Sequence, residues 1–68
     1  MKLSARNILA GTVETLHKGA VTTTLKVALP GGHHITSSIT NEAADDLALK
    51  VGDQVSAIIK SSDVIIGK

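Results

Sequence analysis

Three short stretches of this 68-residue chain concentrate hydrogen-bond donors: SARN at 4–7, ITSSIT at 35–40 and IIKSSD at 58–63. Ser4 and Arg6 are two apart, so on an extended strand they share a face. Thr40 closes the second stretch where a helix is about to begin. Lys60 and Ser61 end a strand in the third. A doubly charged tetrahedral oxyanion carries only acceptors, so a pocket for it needs many donors and few carboxylates. Burying it is costly unless charge and hydrogen bonds replace its lost water. Arg6 and Lys60 match two negative charges, Ser4, Thr40 and Ser61 supply hydroxyls, and free amides at a turn or helix start add more. Each group alone also fits a plainer role. Hydroxyls line solvated strand faces, Thr40 suits a helix N-cap, and Lys60 suits an edge charge that discourages sheet pairing.

The elements that must position these residues are mostly strands. Residues 3–16 form a long strand candidate interrupted by Gly11, a point for a bend or bulge. HKGA turns through Gly19. Val21, Leu25, Val27 and Leu29 then face one way, with Thr22, Thr24 and Lys26 opposite. PGG at 30–32 is a hairpin turn. Ile35 and Ile39 alternate with His34, Thr36 and Ser38 on a third strand. TNEAADDLAL breaks the alternation: Thr40 or Asn41 caps a short helix, Glu42, Asp45 and Asp46 lie near its start, and Ala43, Ala44 and Leu47 form its inner face. Val55, Ala57 and Ile59 mark a fourth strand, and residues 64–66 a fifth. This order predicts an all-β fold with one short helix, a five-stranded OB-like barrel.

Composition narrows the function. With no cysteine there is neither a disulfide nor a Cys-based zinc site, and with no Phe, Tyr or Trp the usual large core side chains are missing. A domain this small buries only ~60% of its unfolded surface. Yet 43% of the residues are hydrophobic, which predicts a core completed by other copies of the chain. Seven basic and six acidic residues give a net charge of +1, which argues against a nucleic-acid partner, as does the lack of stacking aromatics. No apolar run approaches a membrane span and MKLSARN is no signal peptide, so the expected location is the cytoplasm. His33 and His34 point to opposite faces of a strand and do not chelate one metal within a chain. No nucleophile–base spacing stands out, so no enzyme is expected.

SARN, GTV, KGAVTTTLKVAL, GG, ITSSITNEAADDLALKVGD and VSAIIKSSDVIIGK together resemble the molbindins over essentially the whole chain, 1–68. These are small cytoplasmic proteins made of one Mop domain. The resemblance implies an OB-like domain that assembles as a hexamer, a trimer of dimers, and binds molybdate or tungstate between subunits without an organic cofactor, for molybdenum storage and homeostasis. It assigns the oxyanion to Ser4, Arg6, Thr40, Lys60 and Ser61, the last through its amide. A second class of sites would fall on Lys18, Gly19, Ala20 and Val21. One departure stands out: some members carry a serine ligand where this chain has Ala43, so an amide or water must serve there. The alternatives are a structural or nucleic-acid-binding OB-like module.

Overall fold

The computed structural model describes residues 2–68. Strand β1 covers Asn7–Lys18, β2 Thr22–Ala28, β3 His34–Thr40 and β4 Gln54–Ile59, with helix α1 at Asn41–Asp46 between the last two. They form one antiparallel sheet in the order β3-β2-β1-β4. β1 serves two partners. Its first half pairs with β4, from Asn7↔Ile59 to Thr12↔Gln54. Its second half pairs with β2, ending at Lys18↔Thr23. Changing partner along one strand curls the sheet, and a bulge between Val13 and Thr15 increases the bend. The irregularity expected at Gly11 therefore falls just beyond it. Gly11 itself pairs in register with Val55. It is glycine because a Cβ there would meet Ala28 O and Val27 Cγ1 at 2.6 Å each.

The core is small: Val13, Leu25 and Val27, partly covered by Leu16, Leu29, Ile39, Leu49 and Val55. Val21, expected to head the inward row of β2, precedes the strand and lies exposed in the hairpin. Thr23 takes that place instead at 1% exposure. Its hydroxyl tolerates burial because it donates to Asn41 Oδ1 at 2.7 Å. The PGG turn forms as expected, with Gly31 and Gly32 at φ 90° and 86° and Leu29 N donating to His33 O.

Thr40 caps α1 by accepting from Ala43 N at 3.1 Å. The helix stops after six residues. Ala48 N donates to Asp45 O and Leu49 N to Ala44 O, the paired bonds of a Schellman ending, with Ala48 left-handed at φ 49°. This reversal carries Leu49 to the core and leaves Leu47 exposed, correcting the inner face read from the sequence: Ala44 is its buried member.

The fifth strand does not form within one chain. A 3-10 turn at Ser61–Asp63 follows β4, and beyond it Val64, Ile65 and Ile66 are unpaired and 46%, 93% and 84% exposed. β3 and β4 are thus free edges of a half-barrel. Between them lies an open apolar trough of about 320 Å³, lined by Ile35, Ile39, Leu47, Leu49, Val55 and Ile59 among others.

Candidate oxyanion site

The pairing of Asn7 with Ile59 brings the chain segments on either side together, so Arg6 and Lys60 are neighbours at one end of the β1–β4 ladder. Asn7 Nδ2 reinforces the junction by donating to Ile59 O at 3.2 Å. Ser4 precedes β1 in a bend, so the strand face predicted for Ser4 and Arg6 is absent. They reach the same end of the molecule through the ladder instead. Ser4, Arg6, Lys60 and Ser61 are all exposed.

Lys18 and Lys50 each have a carboxylate, Asp45 at 3.4 Å and Asp53 at 3.9 Å. Among the described residues, Arg6 and Lys60 make no ion pair, a state they share with Lys2, Lys26 and Lys68 but which here holds for two cations at adjacent strand ends. The 3-10 turn is closed by the amides of Asp63, donating to Lys60 O, and Val64, donating to Ser61 O. The amides of Ser61 and Ser62 lie outside those bonds, as the first amides of such a turn must. Two cations without ion-pair partners, two hydroxyls and two turn amides thus fall on the segments at this end of the ladder, with Asp63 as the acid of the turn. This is a donor-rich set suited to a small anion.

Thr40 is elsewhere. It pairs with Thr22, one rung past the level of Lys18 and Thr23, at the opposite end of β1. The two ends are separated by the whole bent length of β1, 12 residues, in a molecule 34 Å along its longest axis. The five predicted oxyanion residues therefore divide into a group of four and Thr40 alone. Thr40 Oγ1 accepts the Ala43 amide but keeps its own proton, so it still has one hydrogen bond to give. The same bond answers the question posed by Ala43: its amide is already used and does not stand in for a serine hydroxyl.

The second predicted group, Lys18 to Val21, forms the β1–β2 hairpin tip. Its donors are partly engaged, Lys18 by Asp45 and Gly19 N by Thr22 O at 2.8 Å. His34 Nε2 lies 2.6 Å from Glu14 Oε2. The described residues contain no cluster of three metal-ligating side chains.

Asn41 was legible only as an alternative cap. In the structure it joins α1 to the hairpin. Its Nδ2 donates to Gly19 O at 3.0 Å, its Oδ1 accepts from Thr23, and its amide donates to Val21 O at 3.1 Å. The available signal was a buried-side threonine in β2 that required a partner.

The TOBE domain family model matches residues 3–66. The chain belongs to the TOBE domain family. Within it, the chain is 42% identical to molybdenum-pterin-binding protein 2 of Clostridium pasteurianum, over 97% of each protein. It is 44% identical to the molybdenum transport protein ModE of Herbaspirillum seropedicae, spanning 94% of this chain but only 24% of that one. Among solved structures, the cytoplasmic molybdate-binding protein ModG with molybdate bound superposes with a TM-score of 0.92 at 54% identity, covering 96% of this TOBE chain and 46% of ModG. The molbindin resemblance read from the sequence therefore holds. No helix among the described residues of this TOBE domain is long and apolar enough to cross a membrane.

Proposed function

We propose that this chain, as one molybdate-binding domain spanning residues 1–68, binds molybdate or tungstate at subunit interfaces and catalyses no reaction. It would serve molybdenum storage and homeostasis in the cytoplasm. The observation that carries this reading is the divided donor set. Arg6 and Lys60 make no ion pair among the described residues and stand with Ser4 and Ser61 at one end of β1, while Thr40 stands at the far end with a free hydroxyl proton. A single copy cannot close five donors on one anion. Two antiparallel copies can, each giving its four-residue rim to the other's Thr40. The relatives' binding of molybdenum compounds supports the choice of anion.

The same pairing answers the half-barrel. Val64, Ile65 and Ile66 need burial, and the trough between β3 and β4 needs a strand. A second copy's tail laid between those edges would complete the fifth strand and contribute about 1.5–3 kcal/mol for each side chain fully covered. Dimers built this way would assemble further into a hexamer, a trimer of dimers. Anion binding would then stabilise the assembly by mass action.

Calorimetric titration with molybdate, with sulfate at matched ionic strength as the control, tests the reading. Saturable heat with molybdate and little with sulfate is expected. An intact oligomer that binds neither anion would leave a purely structural role.

A further inference from the structure

The free hydroxyl of Thr40 is useful to an anion only if it is held still, and the residue that holds it is not Thr40 itself. We infer that Asn41 is the positioning residue for the Thr40 half of the oxyanion site. The inference rests on the interface reading above and goes beyond it in naming a residue that touches no anion.

Thr40 is the last residue of β3 and the cap of α1, a six-residue helix with little stability of its own. Its pairing with Thr22 is the last rung of the β2–β3 ladder, where strands fray. Asn41, the next residue, removes that freedom. Its backbone amide donates to Val21 O at 3.1 Å, its Nδ2 to Gly19 O at 3.0 Å, and its Oδ1 receives the Thr23 hydroxyl at 2.7 Å. Thr23 is 1% exposed and belongs to the rigid inward row of β2. The junction bearing Thr40 is thereby tied at three points to a hairpin whose base is the core.

The chemistry requires asparagine. The side chain must donate to Gly19 O and accept from Thr23 at once, and on this short stem a carboxamide does so with two separate atoms, where a hydroxyl has a single oxygen for both. Aspartate would satisfy Thr23 but would turn an oxygen toward Gly19 O, and it would set a negative charge one residue from the anion's hydroxyl donor. Serine and alanine would leave Gly19 O without its partner.

A structural role alone would show up through Thr23, because removing Asn41 orphans a buried hydroxyl. Replacing both members of such a pair by apolar groups is close to neutral. The test therefore compares Thr23→Val with the double variant Thr23→Val/Asn41→Ala by molybdate calorimetry and thermal melting. Neither carries an orphaned hydroxyl, and the Asn41 Oδ1 that loses its donor in Thr23→Val is only part-buried and open to water, so the two should melt within a few degrees of each other. Thr23→Val removes one tie but keeps the Asn41 bonds to Gly19 O and Val21 O, and should bind within about twofold of the parent. The double variant should bind roughly tenfold more weakly, the loss expected when one charge-assisted hydrogen bond is no longer held in place. Equal affinity in the two variants would overturn the inference, with Asn41 reduced to a partner for Thr23. If the double variant fails to fold, Asn41→Asp keeps the Thr23 bond, and wild-type affinity there would overturn it equally. A parent protein that binds no molybdate would instead sink the interface reading, and this inference with it.

Discussion

Thr40 and Lys60 face the same kind of chemistry from opposite ends of β1: Lys60 follows the rung that pairs Ile59 with Asn7, and Thr40 sits one rung past the level of Lys18. If one anion uses both, as proposed above, it must bridge two copies. Lys60→Ala and Thr40→Ala should each lose most of the molybdate heat as homo-oligomers. When the two variants are unfolded together and reassembled, a mixed dimer holds one site with both residues intact and one with neither. Random pairing should restore roughly a quarter of the wild-type sites, since half the dimers are mixed and each regains one site of two. A site built within one copy would regain none.

The exposed tail makes the second prediction. Ile65 is 93% exposed in a single chain, so a charge there costs the lone chain almost nothing. If the tail lies in a partner's trough, Ile65→Asp must bury a carboxylate among Ile35, Val55 and their neighbours, which costs several kcal/mol. Sedimentation of Ile65→Asp should show the assembly shifted toward single chains. An unchanged sedimentation coefficient would mean that something other than the tail covers the trough.

Among the glycines, Gly11 leaves the least room for a side chain. Its Cβ would lie 2.6 Å from a backbone oxygen, Ala28 O, which cannot swing aside as a side-chain tip can. Gly11→Ala should push β1 from β2 at the point where β1 changes partners, destabilising the fold by about 1–3 kcal/mol. Denaturant unfolding at fixed protein concentration measures it, and a loss under a few tenths would show that the strands part easily there.

The succession of strands and helix along the chain, the PGG turn and the Thr40 cap were legible because each has a local cause: alternation, a glycine pair, a capping hydroxyl. The start of β1 was not, for the strand read over 3–16 begins only at Asn7 and leaves Ser4 and Arg6 outside it. What the sequence hid depended on distant partners. Thr23 carries a hydroxyl, a group that suits the surface, and its burial rests on Asn41, 18 residues away. Residues 64–66 carry a strand's composition, but pairing is a property of the neighbour, and one chain offers them none. The donor residues were identifiable by type. Their division between two ends was not, because it follows from β1 pairing with β4 at one end and, through β2, with β3 at the other.

Ala48 offers a gain rather than a loss. It sits at φ 49°, where an L side chain crowds the backbone, in the position just past a helix that glycine commonly fills. Glycine removes that strain but also loosens the unfolded chain, which returns part of the benefit. The balance for Ala48→Gly is a stabilisation of about 0.5–1 kcal/mol, or a melting temperature raised by a few degrees for a domain of this size. Ala48→Val should move the other way, because a β-branched side chain is still less tolerant of positive φ. The opposed signs matter, since both substitutions are made at one exposed site and differ chiefly in backbone preference. Ala48 lies past the C-terminal end of α1, away from Thr40 at its start, so molybdate affinity should follow neither change. Melting both variants at one protein concentration checks the signs, and a destabilised Ala48→Gly would mean that the Schellman bonds of Ala48 and Leu49, not the left-handed residue, set the helix end.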